Sequence, residues 1–251
     1  MNPEVVVKRA VPLILALMFA VSVPTARGQS TLPRKDIPAI AKASNGAIVT
    51  IVTAVNDKPL ALSTGFLVSA DGVIVTNYHV IKTGNVAAVK FPDGSVFAVD
   101  GLLASDKDRD VAVIKIHGKA SRTLTLGNSD RVQVGEAVVA IGNPLGLELT
   151  VSNGILSGVR TVEKEGGRLQ VTAPISHGSS GGPLFNMAGQ VIGINSMYLE
   201  GGENLNFAIP INDAKSLLRK RRLGKPAPSL TLTSSDHTSA DAEELWQDGN
   251  S

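Results

Sequence analysis

Cysteine is absent from the 251 residues. No thiol nucleophile, thiolate metal site or disulfide framework can be built, so a folded chain must draw its stability from its core alone. An exported protein of that kind suits a bacterial periplasm or cell surface better than a small disulfide-dense scaffold. A long hydrophobic run is missing too. The apolar stretch from Val11 to Val23 is shorter than the ~20 residues a spanning helix needs. Lys8 and Arg9 precede it and PTARGQS follows, the layout of a secretory signal peptide with Ala26 and Gly28 at the small positions before the cut. We therefore expect residues 1–28 to be removed, leaving Gln29 as the new N-terminus and no membrane attachment. Excess charge is the third absence. Taking Lys8, Arg9 and Arg27 against Glu4 from 24 basic and 22 acidic residues leaves 21 of each. A near-neutral chain carries no electrostatic footprint for nucleic acid, and RKRR at 219–222 reads as a solvated helix end.

What is present is strand. From Ala47 onward, short apolar runs such as AIVTIVTAV, VIVTNYHV, DVAVIKIH, EAVVAIG and QVIGINSM alternate with turn signals such as DG and PDG. About a dozen such runs without a βαβ rhythm indicate an all-β barrel or sandwich architecture. A division near Gly118–Asp130 gives halves of similar strand count and favours two small barrels, about 46–118 and about 128–211. Helix is expected only at the edges, over Asp36–Ala43 and over residues 212–222, the latter capped by Asn212. Residues 225–251 carry one lysine against five acids and few apolar residues, which reads as a disordered polar tail over 223–251.

The chemistry concentrates in PISHGSSGGPLFN, Pro174 to Asn186. A serine nucleophile must project from a tight turn whose backbone N–H groups face the oxygen that becomes negative. Gly178, Gly181 and Gly182 around Ser180 meet that need better than a generic loop. A base must accompany it. His237 lies in the acidic tail, His177 is too local to Ser180, and His117 ends a strand as an exposed terminus. His79 stands where an apolar strand meets a polar turn, a rigid place for a base. For the orienting carboxylate, SDKDRDVAVIKI offers Asp106, Asp108 and Asp110. Asp110 directly precedes the apolar strand and is the one placed for burial.

TNYHV, DRDVAVIKI and HGSSGGPL, in this order and 31 and 70 residues apart, resemble the His, Asp and Ser motifs of the HtrA/Deg family of trypsin-like serine proteases. STGFLVSADGVIVTNYHV, VVAIGNPLGLELTVSNGILSGV, GQVIGINSM and NLNFAIPI extend the resemblance from about Asp36 to Arg222. It implies a protease domain over 29–222, built as two six-stranded chymotrypsin-like barrels with the active site in the cleft between them. It also implies a triad of His79, Asp110 and Ser180, with Gly178 and Ser180 N–H groups as the oxyanion hole. Ile175, Asn195, Met197 and Tyr198 would line the specificity pocket, and with no acid among them small or medium apolar substrate side chains are expected. Neither a cofactor nor a metal is implied. The expected substrates are unfolded or misfolded polypeptides, in the periplasm or outside the cell.

The pattern also departs from the family. Ser179 stands where the family most often has Asn, and TAPISH replaces its usual lead into the serine. The residues after Arg222 are too few and too polar for the PDZ domain that many members carry. Gln29 to Thr50 lacks the aromatic residues through which members often trimerise, so a monomer and a differently built oligomer both stay open. A chaperone-like or peptide-binding module with little turnover is the alternative reading, and a non-peptide esterase a third.

Overall fold

The computed structural model describes residues 33–55, 58–82, 86–143, 149–162, 164, 166–196 and 206–223. The expected signal peptide and all of the expected tail except Leu223 lie outside the described residues, as do Met197 and Tyr198.

Twelve strands make two closed antiparallel barrels. The first uses β1 (Ile48–Val55), β2 (Lys58–Ser69), β3 (Val73–Thr76), β4 (Val86–Lys90), β5 (Val96–Asp106) and β6 (Val111–Ile116), closed in the order β1-β2-β3-β6-β5-β4. The second uses β7 (Ala137–Gly142), β8 (Thr150–Val162), β9 (Gly166–Val171), β10 (Pro183–Asn186), β11 (Val191–Ser196) and β12 (Asn206–Pro210). Its order, β7-β8-β9-β12-β11-β10, repeats the topology of the first. Closure leaves no unpaired sheet edge to manage.

The valine and isoleucine runs suit pleated surfaces buried on both faces, and the alternation within each strand divides the core. On β7, Val138 and Ala140 join Leu156, Leu169, Val171 and Leu184 inside the second barrel. The alternate residues Val139 and Ile141 face the other way. They join the cluster that fills the first barrel, with Ile51, Phe66, Ile74 and Ile114. The two barrels therefore share one continuous apolar core across their junction, which also takes in Phe185, Ile194 and Ile209.

Two longer helices fasten the ends. In α1 (Ile37–Ser44) the Asp36 carboxylate accepts from the Ala39 N–H at 2.8 Å, a conventional N-cap that satisfies one of the first-turn donors. Ile40 is buried in the shared core. α3 (Ile211–Leu223) packs on β5 and β6 as well as on β11 and β12, so it reaches from the second barrel back to the first. Asn212 does not cap it. The helix begins one residue earlier, directly after β12, and the Asn212 amide donates to the Asn128 side chain at 2.7 Å.

The burial pattern sets a contrast in stability. Ile114→Ala, in the shared core, should lower stability by about 2–5 kcal/mol, whereas Val159→Ala, on the outer face of β8, should stay within about 0.5 kcal/mol. Urea unfolding midpoints of the two variants against the parent check this.

Candidate active site

β3 ends at Thr76, and the chain turns at Asn77 into a single helical turn, α2 (Tyr78–Ile81), which carries His79. His79 thus stands on a helical turn and not at the end of a strand. Asn77 occupies the N-cap without capping. Its side-chain amide donates instead to the Asp110 carbonyl at 3.0 Å, and the Tyr78 N–H donates to the same oxygen at 3.2 Å. The Asp110 carboxylate returns the contact. Oδ1 accepts from the His79 N–H and Oδ2 meets His79 Nδ1, both at 2.7 Å. Three consecutive residues are therefore held by one aspartate.

Asp110 reaches them from the turn before β6 with φ +60°, the left-handed region that Asp tolerates better than most residues. A carboxylate only accepts, so the imidazole edge that faces it carries its proton on Nδ1. The aspartate side chain is 21% exposed and the histidine 39%, a carboxylate partly withdrawn from water behind a ring that stays open to it.

Ser180 comes from the loop before β10 and is 6% exposed. Ser176 to Ser179 form a turn closed by the Ser179 N–H donating to the Ser176 carbonyl at 3.0 Å. Gly178, third in the turn, has φ +87° while His177 does not enter the positive region, the signature of a type II turn. The loop is joined to the first barrel directly. The Thr64 N–H on β2 donates to the Ser180 carbonyl at 2.9 Å, and the Thr64 hydroxyl donates to the Gly178 carbonyl at 2.6 Å. Gly181, at φ +85°, lies so close that an added Cβ would fall 2.1 Å from the Thr64 carbonyl and 2.2 Å from Thr76 Oγ1. Thr76 is three residues before His79. The Ser180 loop is therefore seated against the strand that leads into His79.

The model of the trypsin-like peptidase domain matches residues 63–194, which include all three of these residues. The chain belongs to the trypsin-like peptidase family. A probable periplasmic serine endoprotease, DegP-like, from Pseudomonas fluorescens is 42% identical over 170 residues, 65% of this chain and 36% of the relative. A putative serine protease HhoB from Synechocystis is 40% identical over 174 residues, 64% of this chain and 41% of the relative. A DegP-like protein from Chlamydia muridarum, also named a probable periplasmic serine endoprotease, is 42% identical over 166 residues. The chain thus spans about two-fifths or less of the length of these curated relatives. Their names agree with the HtrA/Deg resemblance of the motifs.

Of the four residues expected at the specificity pocket of this trypsin-like chain, Ile175 and Asn195 lie among the described residues. Ile175 is half-buried beside the interior of the second barrel, and its N–H donates to the Asn206 side chain at 3.2 Å. Asn195 is fully buried, with its amide nitrogen donating to the Ile141 and Pro183 carbonyls at 3.1 and 3.3 Å. Its main chain pairs with the loop, accepting from the Gly181 N–H and donating to the Gly182 carbonyl. Sequence reasoning missed Asn77, Thr64 and Thr76. A threonine closing the otherwise apolar strand VIVT was the available signal for Thr76.

It also missed Arg109, beside Asp110. The guanidinium pairs with Asp106 in its own turn at 2.8 Å and with Asp213 on α3 at 3.4 Å. The two carboxyls respond oppositely. Burial works against ionisation of Asp106, but hydrogen bonds from the Arg109 N–H and guanidinium hold it below the usual carboxylate range. Burial pushes Asp213 up, against the attraction of Arg109. Asp213 then keeps its proton to higher pH when folded than when unfolded. Its ionisation costs stability above its folded pKa, and it contributes nothing once both states are protonated. Asp213→Asn should accordingly raise the unfolding midpoint near pH 8, and the gain should vanish on acidification to about pH 3. Thermal unfolding of both proteins across that range checks the sign.

Proposed function

We propose that this chain is an exported serine endopeptidase that hydrolyses peptide bonds of unfolded polypeptides, with Ser180 as nucleophile, His79 as base and Asp110 as its orienting partner. The observation that carries this reading is the two-point grip of Asp110 on His79, with the Ser180 loop seated against the strand leading into that histidine.

His79 Nε2 takes the Ser180 hydroxyl proton as the oxygen attacks the substrate carbonyl carbon. Asp110 keeps the proton of the neutral ring on Nδ1 and stabilises the imidazolium that forms. The negative oxygen of the tetrahedral intermediate is received by the N–H groups of Gly178 and Ser180, neither of which has a hydrogen-bond partner among the described residues. Alignment of one such donor contributes about 10²–10³ in rate. The intermediate collapses, His79 gives its proton to the leaving amine, and water releases the acyl group from Ser180 by the same route.

Small or medium apolar side chains are the proposed occupants of the cleavage position, beside Ile175. A periplasmic location is supported by the naming of the relatives and by the leader-like composition expected of residues 1–28. Among the described residues no helix is long and apolar enough to cross a membrane.

A fluorophosphonate should add once to the chain, as read by intact mass, and not at all to Ser180→Ala. Asp110→Asn should lower turnover of an unfolded-casein substrate on the order of 10⁴-fold. A chain that takes up no label, with or without unfolded protein present, would overturn the hydrolase reading in favour of a binding module on the same fold.

A further inference from the structure

Thr50 and Thr64 are direct cross-strand partners on β1 and β2. Their neighbours on the opposite face point into the first barrel, where a Cβ on Gly65 would meet Ile51 and Ile74 at 2.8 Å. The two threonines, buried at 2% and 0% exposure, face out of that barrel toward the second. There they meet Asn143, the first residue after β7. Its side-chain nitrogen donates to the Thr50 hydroxyl, and its side-chain oxygen accepts from the Leu149 N–H at 2.7 Å. The Asn143 N–H donates to the Thr64 hydroxyl at 2.9 Å.

The Thr64 hydroxyl is thereby used as donor and acceptor at once. It accepts from Asn143, which leaves its single proton directed at the Gly178 carbonyl, 2.6 Å away. The rest of the residue is equally committed, with its N–H on the Ser180 carbonyl and its carbonyl accepting from the Thr76 hydroxyl at 2.8 Å. Type I and type II turns differ by a reversal of the central peptide, which here joins His177 to Gly178. That peptide carries the Gly178 N–H. The turn is closed by Ser176 and Ser179, and the Gly178 carbonyl is tethered by Thr64, so both flanking peptides are held.

We propose that Thr64, backed by Asn143 and Thr50, is a positioning residue for the oxyanion turn: its hydroxyl grips the Gly178 carbonyl and keeps the His177–Gly178 peptide in the orientation that presents the Gly178 N–H to the reacting carbonyl. The inference rests on the hydrolase reading for its consequence, not for its geometry. A buried threonine that merely satisfied its own hydroxyl would affect stability when removed. A positioning residue affects the turn and the chemical step.

The two are separated with Thr64→Val, which keeps the shape and deletes the hydroxyl, and Thr64→Ser, which restores it. In a Ser180→Ala background, where no chemistry takes place, NMR couplings of Gly178 report its φ. Thr64→Val should lose the positive φ or show a mixture, and Thr64→Ser should keep it. In the active chain, Thr64→Val should lower kcat about 10–100-fold at nearly unchanged KM, a fraction of the full effect of an oxyanion donor. A peptide boronate, whose adduct places an oxygen in the hole, should weaken by the same factor, and Thr64→Ser should recover both. A folded Thr64→Val with Gly178 unchanged, or with kcat within twofold of the parent, overturns the proposal. So does a Thr64→Ser variant as impaired as Thr64→Val. Should Thr64→Val fail to fold, Thr50→Val removes only the support of Asn143 and should shift kcat in the same direction by less. A parent chain that takes up no fluorophosphonate would overturn the hydrolase reading alone, because the NMR comparison is made without catalysis.

Discussion

The hydrogen bond from the Thr64 N–H to the Ser180 carbonyl joins the main chain of one barrel to the main chain of the other at the residue proposed to do the chemistry. Much of the cleft follows from accepting that contact. Main chains this close leave no room for side chains between them, which suits the two glycines, Gly181 and Gly182, that follow the serine. A Cβ on Gly182 would stand 2.3 Å from the Ile141 carbonyl, as one on Gly181 would strike Thr64 and Thr76. Their first role is steric. The shared apolar core supplies the force that presses the barrels together, and being non-directional it cannot set their register. The hydrogen bonds from Thr64 to the loop are directional and can.

A second constraint lies at Asp110. Its left-handed backbone turns the carboxylate toward residues 77–79 while its own carbonyl stays within reach of the Asn77 amide. Four hydrogen bonds then converge on one aspartate, two on the carbonyl and two on the carboxylate. The imidazole is therefore fixed through the main chain that carries it as well as through its ring. Arg109 anchors the same turn from its other side, between Asp106 and the helix that returns from the second barrel. The turn that carries Asp110 is thus linked to the helix of the second barrel, although it belongs to the first.

The legible part of the sequence was the part written locally. The apolar run in EAVVAIG reads as a strand, and its successive residues Val138 and Val139 serve two different clusters. The carboxylate of Asp36 lies next to the helix it caps. Asn212 misled because a cap-forming residue beside a helical run is a local cue, and its side chain instead bonds to Asn128, 84 residues away in the sequence. His79 reads as the end of a strand because TNYHV contains no helix signal. The single turn it occupies is held from outside, by Asp110, 31 residues away. Thr64 was the least visible. Its partners Gly178 and Asn143 lie 114 and 79 residues along the chain, and nothing in STGF announces them.

This division between local and distant bonding bears on the most conspicuous departure from the family pattern, Ser179. The turn it closes depends on its N–H, which any residue except proline supplies, and on the φ of Gly178. The Ser179 hydroxyl adds only a contact with Ser176 at 3.5 Å, the outer limit of a hydrogen bond. Space constrains its neighbour, since a Cβ on Gly142 would stand 2.8 Å from the Ser179 Cα and Cβ. Closure of the turn does not depend on the Ser179 hydroxyl. The turn's geometry is held from the neighbouring barrel, by a threonine the loop itself does not contain.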